Sequence, residues 1–573
     1  MGCILPSHQD TFTWSHCNIL TFDDMKKILY SIIILALAVS CTLDTAPRDA
    51  LSSATFPKTA NDVEMMAIGC YDGYTDQNYT VYNDVFSDNG ICTINANFAR
   101  YANGKTSHAT PGTNWYSYST ITRCNNFLSV TNNSAIPFSD PKRLTQLRNE
   151  VRFLRAFKYY TLCTAFGDVP LIKDVVPSLE AAKVPVTPEA DIADFIIQEM
   201  NEITKEGELA EIAAEDGRVT RGAALALKMR TCLHYKKYAD AIDAADEIIR
   251  SNVYSLVTDK SNGKIPYEEV FKEKNEGNSE IILAFKRCMN DYKNQTIIEF
   301  CNVNDGGWSA FIPIQDLVDA YEMNNGLTIE EAKAAGQYDP AHPFKNRDPR
   351  FYSTILFPGA DWANREGVER IYNTLDVTVN GVENKDHFAH SNNSSSTGYS
   401  VRKYMNPLSQ YADINNTGLD LILFRYAEVL LAKAEALIES QPSKLNDATD
   451  LIDQVRTRAG MPVVDRAKYN SQATLRELLR RERRIEFAFE GLRRTDLMRW
   501  GLTLDKLNGP VYGCNLGTVH MDKSIPQEER AEIYVGDNYK NLIENRTAKN
   551  VYMPIPQTEI DVNPNIKQTN FIQ

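Results

Sequence analysis

The chain has little that a nucleic-acid binder or a membrane-spanning protein would need. Its formal net charge is −14 over 573 residues, with a sequence pI near 5.2. Phosphate binding wants a basic face, so nucleic acid is excluded as the main partner. Past residue 40 no run approaches 18 apolar residues, so nothing there spans a bilayer as a helix. The 11 cysteines show neither CxxC spacing nor a paired framework; Cys163 and Cys232 sit in helical patterns as small buried hydrophobes. HExxH, GxSxG and EF-hand patterns are missing, and no metal site or cofactor is expected. Asn103-Gly104-Lys105-Thr106 carries the end of a P-loop, but Ala99 stands where the first glycine belongs. His387 and His390 have ligand-like spacing in an Asn/Ser-rich loop without cysteine, which reads as a solvated loop.

What is present is an ordinary globular balance, 43% hydrophobic and 24% charged, with 28 Tyr, 23 Phe and 5 Trp. The N-terminal region reads as targeting. Met25-Lys26-Lys27 is a positive start, and Ile28–Val39 is apolar apart from Ser31. That length suits a signal h-region, not a span. Small residues then lead to Cys41, as in a bacterial lipobox. Residues 1–24 fit no targeting logic and read as a non-native extension, 25–40 as a lipoprotein signal peptide and 41–60 as a tether.

The body reads as mainly α. Residues 61–254 carry helical periodicity, most plainly at Leu144–Phe166 and in the hairpin Arg221–His234 and Ala239–Ile249. There Ala223, Ala224 and Ala226 face Ala241, Ala244 and Ala245, as in a tetratricopeptide-like repeat. Leu421–Glu439 and Asp447–Arg458 form a second such pair inside the C-terminal part, 421–573. Between them, 255–420 reads as a folded, loop-rich lobe with short strands at Ile281–Phe285 and Tyr352–Phe357. Gln77 to Gly112 reads as irregular.

Arg480–Trp500 is the densest run of charge. Leu475, Leu478, Leu479, Ile485 and Phe489 keep helical time through it, while Glu482, Glu486 and Glu490 sit four apart on one edge. Gly491 suits a helix stop. Three stacked carboxylates need cations, and Arg483, Arg484, Arg493 and Arg494 are the nearest. The expectation is a structural clamp of Arg–Glu pairs between two helices. Arginines hold carboxylates ionised, whereas a glycosidase acid must be protonated, so a hydrolase is the least favoured reading.

Eight stretches, in order, resemble the SusD/RagB lipoproteins of Bacteroidetes nutrient-uptake systems. They are the lipobox at Cys41; Trp115-Tyr116-Ser117-Tyr118 with Asn125-Asn126-Phe127-Leu128; Arg152–Ala156 running to Phe166-Gly167-Asp168-Val169-Pro170-Leu171; Lys345–Phe351; Thr397-Gly398-Tyr399 with Arg402-Lys403; Arg425–Leu431; Arg483–Gly491; and Met553–Ile560 with Asn563-Pro564. The resemblance implies a non-enzymatic scaffold of tetratricopeptide-like hairpins, lipid-anchored at the outer face of the outer membrane. It also implies a SusC-like TonB-dependent transporter as partner and an oligosaccharide ligand; peptide binding or a mainly lid-like role stays open, as does an inward-facing anchor. Ligand contacts do not carry over by motif. Chemistry and place select Asn97, Phe98 and Tyr101 in the early loop and Asn304, Asp305 and Trp308 in the lobe, since sugars stack on rings and polar neighbours take hydroxyls. Trp308 serves equally well as an anchor of the lobe. Trp115 and Trp500 are expected in the core.

Overall fold

A computed structural model describes residues 57–572, apart from 77–78, 94–95, 133–135, 214–216, 260–264, 515 and 535–540. The expected signal, lipobox and Cys41 lie outside the described residues. Among the described residues the scaffold is built from helices α1 (Ala60–Tyr71), α2 (Ala96–Ala102), α3 (Ser119–Asn132), α4 (Pro141–Phe166), α5 (Glu189–Ile203), α6 (Arg221–His234), α7 (Tyr238–Ser251), α8 (Tyr426–Ser440), α9 (Leu445–Arg458), α10 (Gln472–Glu486) and α11 (Arg493–Trp500), with shorter helical turns between them.

Local chemistry sets these boundaries. Asp140 caps α4 through the Lys142 amide at 2.9 Å, Pro141 fills its first position, and Gly167 ends it at φ +76°. Thr220 caps α6 through the Ala223 amide. The alanine faces of α6 and α7 meet as expected, all six residues being fully buried. Gly222 is needed at the start of α6, because a Cβ there would lie 2.5 Å from the Tyr254 ring. On α10, Leu475, Leu478, Leu479 and Ile485 are no more than 1% exposed, each contributing about 1.5–3 kcal/mol of burial.

Packing follows chain order from α3 to α7, and α7 then packs on α8, although 174 residues separate them in sequence (251 to 426). The helical layer is thus continuous across the lobe. Helix α8 also meets α9 and α10. Four strands tie the lobe to the scaffold: β1 (Gly90–Cys92), β2 (Ile281–Phe285), β3 (Phe311–Pro313) and β4 (Leu421–Arg425). Antiparallel β2–β4 pairing joins entrance and exit of the lobe, with Leu421 opposite Phe285 and Arg425 opposite Ile281. Antiparallel β1–β3 pairing ties the early loop to the lobe, with Ile91 opposite Ile312. The helical core and the lobe contribute to one continuous hydrophobic cluster.

Three local readings are corrected. Leu421–Arg425 is strand, not the start of a helix; a fully buried run of five apolar-flanked residues has no period to read, and pairing with β2 decides. Tyr352 lies in a short helix, Pro349–Thr354, capped by Asp348, and only Ile355–Leu356 is extended. The early loop is ordered by a 3₁₀ turn (Val81–Phe86), β1 and α2.

Candidate functional site

The charged run of α10 is a buried ion network. Glu482 takes Arg350 and Arg456; Glu486 takes Arg350 at 3.0 Å, Arg425 at 2.7 Å and Arg458; Glu490 takes Lys403 and Arg425, the latter at 2.6 Å. The expectation of local arginine partners is corrected. The cations come from the lobe and from β4 and α9, because Arg483, Arg484, Arg493 and Arg494 are engaged elsewhere. Arg483 pairs with Asp496, Arg484 with Asp316 and Asn89, Arg493 with Asp88, and Arg494 donates to the carbonyls of Thr164 and Val551. Helix α10 also ends at Glu486, so Glu490 sits in the turn before Gly491. Burial alone would raise the Glu486 carboxyl, but Arg458, Arg425 and Arg350 overcome it and hold it well below the usual range. Glu482 is lowered the same way by Arg350 and Arg456. Both are at most 1% exposed, so they meet neither solvent nor substrate. Burial lowers Lys403 to about 8 despite Glu490 beside it.

Trp115 is buried edge-on against Phe86, as expected. Trp500 is only half-buried: guanidinium groups of Arg480, Arg493 and Arg499 lie 4.9–5.6 Å from its ring, and its Nε1 donates to Glu435 at 2.7 Å.

Two of the expected ligand contacts are structural. Tyr101 is 3% exposed and its hydroxyl donates to the Val551 carbonyl at 2.7 Å. Helix α2 turns that ring onto Phe86 and under Arg494. Asp305 is 4% exposed; it accepts from Trp362 Nε1 and from Arg370, both at 2.7 Å. Phe98 is half-buried between Phe86 and Phe311. Asn97 is in the first turn of α2, and its side chain lies outside the described residues. Asn304 is exposed; its backbone N–H donates to Asp386 and its amide nitrogen reaches Asn384 at 3.4 Å. Trp308 is half-buried against the core, its backbone N–H on the Ile298 carbonyl at 2.8 Å. The early loop and the lobe turn, separate in sequence, are adjacent: Thr93 donates its hydroxyl to the Ser309 carbonyl and its N–H to the Ala310 carbonyl, each at 2.9 Å.

The sequence reading missed a better-exposed ring. Residues 288–292 form a tight turn closed by bridging of Cys288 and Tyr292, with Asn290 at φ +72°. Tyr292 is 48% exposed and its hydroxyl donates to Asp72 at 3.0 Å. Arg123 lies 3.6 Å from the same carboxylate, and Asn290 and Asn416 exchange two hydrogen bonds of 2.7 and 2.8 Å beside it. The Asn290-Asp291 pair was a turn signal that could have pointed to it. One stretch, 288–310, therefore presents Tyr292 at one end and Trp308 at the other. Such rings edged by carboxylate, guanidinium and amide groups can stack on a sugar face and take its hydroxyls. Among the described residues, no three His, Cys, Asp or Glu side chains are grouped to hold a metal ion.

Known proteins share this architecture. Residues 268–572 match the SusD family model, and residues 43–206 match a model described as starch-binding associating with outer membrane. The chain is 24% identical to SusD-like protein P38 of Formosa agariphila over 86% of this chain and 94% of that one. It is 26% identical to the starch-binding protein SusD of Bacteroides thetaiotaomicron over 75% and 77%. A SusD-like carbohydrate binding protein of Bacteroides fragilis superposes with a TM-score of 0.76 at 27% identity, over 89% of this chain and 99% of that one. No helix among the described residues is long and apolar enough to cross a membrane. By the length of the family match, this chain belongs to the SusD family.

Proposed function

We propose that the protein captures nutrient oligosaccharides at the outer surface of the outer membrane and passes them to a SusC-like TonB-dependent transporter, held there by a lipid on Cys41. The observation that carries the binding step is the exposed Tyr292 ring edged by Asp72, Arg123 and Asn290, on the same stretch as Trp308. The family and the names of its relatives, starch-binding among them, favour a glycan. The reading is capture without turnover, and it is supported at the charged run, where Glu482 and Glu486 are enclosed and held ionised, so neither can act as a general acid.

Calorimetry of the purified chain against a panel of oligosaccharides, those of starch and laminarin included, tests this. Binding to at least one glycan, weakened in Tyr292→Ala and Trp308→Ala, is expected. Affinity for peptides with none for carbohydrate would replace the reading with peptide capture. Release of shortened glycan by pure protein would make it an enzyme. Co-purification with a TonB-dependent barrel and protease treatment of intact cells test the partner and the outward-facing anchor.

A further inference from the structure

Near the exposed Tyr292 ring stands a cation that the fold leaves unpaired. Arg287 follows β2, and its guanidinium lies 4.5 Å from the centre of the Phe285 ring, which packs edge-on against Tyr74 at 5.2 Å. Its backbone N–H is held by Asp420 at 2.9 Å, which fixes the strand end and not the side chain. Among the described residues that side chain makes no hydrogen bond and no ion pair, although it is half-buried and its Nε is enclosed. Burial draws the guanidinium below its ordinary value, and Asp76 only partly offsets it. An enclosed cation without a counter-charge is costly. Arg155, Arg230 and Arg499 meet that cost with a glutamate each, at 3.0, 2.6 and 2.6 Å; Arg287 does not.

Two more cations surround the loop that follows α1. Arg123, on α3, lies 3.6 Å from Asp72, and its Nε is also enclosed without a partner. Lys158, on α4, is 8% exposed and reaches only the Trp115 carbonyl, at 3.5 Å. Against these three stand Asp72, which accepts from the Tyr292 hydroxyl, and Asp76, which accepts from the Tyr79 N–H. Glu299 is raised by burial to about 7, so it adds less than a full charge at neutral pH. Exposed Asp291 and Lys293 on the turn itself cancel. In a chain of net charge −14, cation is in excess here. The Tyr292 hydroxyl lies in the field of both guanidinium groups: Asp72 raises it, and Arg287 and Arg123 act the other way.

We infer that the glycan taken at Tyr292 is an acidic one, with Arg287 receiving its carboxylate or sulfate group while a sugar ring stacks on Tyr292, a role that depends on glycan capture at that ring. A guanidinium presents parallel N–H donors in a planar fork that matches two oxygens of either group. An anion placed there would supply the counter-charge that the fold withholds. Neutral hydroxyls could accept from the fork but would leave its charge uncompensated, which is why an acid is the occupant chosen.

The test is calorimetry of the full chain against matched pairs. Galacturonan, glucuronan and alginate oligosaccharides are set beside their carboxyl-reduced forms, and sulfated galactan and fucan oligosaccharides beside their desulfated forms. At least one acidic member is expected to bind roughly tenfold or more tightly than its neutral twin, the worth of a charge-assisted pair. Which set shows the preference tells carboxylate from sulfate. The preference should shrink as salt rises from about 50 to 500 mM. In Arg287→Gln the two members should bind within about twofold of each other, with the unfolding midpoint unaltered, since the side chain holds no hydrogen bond. Arg287→Lys should keep part of the preference. Binding of neutral glycans alone, or a preference that survives in Arg287→Gln, overturns the acidic assignment and leaves glycan capture standing. Binding of no glycan at all overturns both.

Discussion

Replacing Glu486 by glutamine keeps the shape of the side chain and removes one charge from the centre of the network. Six carboxylates (Glu280, Glu322, Asp348, Glu482, Glu486, Glu490) face six cations (Arg350, Lys403, Arg425, Arg456, Arg458, Arg481) with every member connected. Glu486 alone touches three guanidinium groups. In Glu486→Gln those three share one carboxylate fewer, and the new amide N–H₂ points donors at donors. Charged hydrogen bonds contribute about 1.5–3 kcal/mol each, and breaking a buried pair from one side costs about 3–5 kcal/mol. A loss of about 3–5 kcal/mol in urea unfolding is therefore expected at pH 7, with unchanged m. Glu477→Gln, at an exposed position on the same helix, should stay within about 0.5 kcal/mol. The pH dependence has a fixed sign. The folded carboxyl is depressed below its ordinary value of 4.5, so its contribution is complete above that pH and fades as pH falls below it. The gap between wild type and Glu486→Gln should narrow from pH 5 towards pH 3. A loss under about 1 kcal/mol, or a gap indifferent to pH, would refute the view that fixed cations stabilise this carboxylate.

Other substitutions probe separate parts. Burial raises Asp84 to about 7, so its contribution to stability is lost as pH rises from about 4 through 7; Asp84→Asn should flatten that slope, read as thermal midpoints at pH 5 and pH 8. Gly491→Ala should cost more than about 1 kcal/mol by urea unfolding, since the glycine sits at φ +77° and a Cβ would lie 1.9 Å from the Thr80 carbonyl oxygen. Tyr101→Phe should leave glycan affinity unchanged while costing about 1 kcal/mol of stability, the share of its hydrogen bond to Val551. Tyr292→Ala should do the reverse, weakening glycan binding roughly three- to tenfold in calorimetry with an unaltered unfolding midpoint.

The helical hairpins were legible because small residues at a 3.6 period have few other uses; Arg221–His234 matched to the residue. Glu482 and Glu486 are ion-paired with Arg350, Arg425, Arg456 and Arg458, none of them a sequence neighbour, since proximity along the chain names only the nearest cations. Arg425 lies on β4, which reads as helix until β2 is known to be beside it. Asp305 looked available because nothing near it in sequence foretells Trp362 and Arg370. Tyr292 escaped for a related reason: its surroundings come from Asp72, Arg123 and Asn416, gathered from three distant segments. Open rings on turns leave no periodic trace.

The ion network has a consequence for how the chain must be completed. Its cations at 350, 403, 425 and 458 all precede the carboxylates at 482, 486 and 490. A nascent chain that ends before α10 carries five of the six cations of a closed interior (Arg350, Lys403, Arg425, Arg456, Arg458) with only three of its six carboxylates. Desolvating those cations early, with only Glu280, Glu322 and Asp348 to meet them, would cost several kcal/mol per uncompensated ion, so the lobe, β4 and α9 are expected to settle only once α10 arrives. The glutamates of α10 thus act as a late lock on an assembly begun far upstream. Any shortened chain lacking them should remain open and exposed to proteases instead of forming a smaller folded protein.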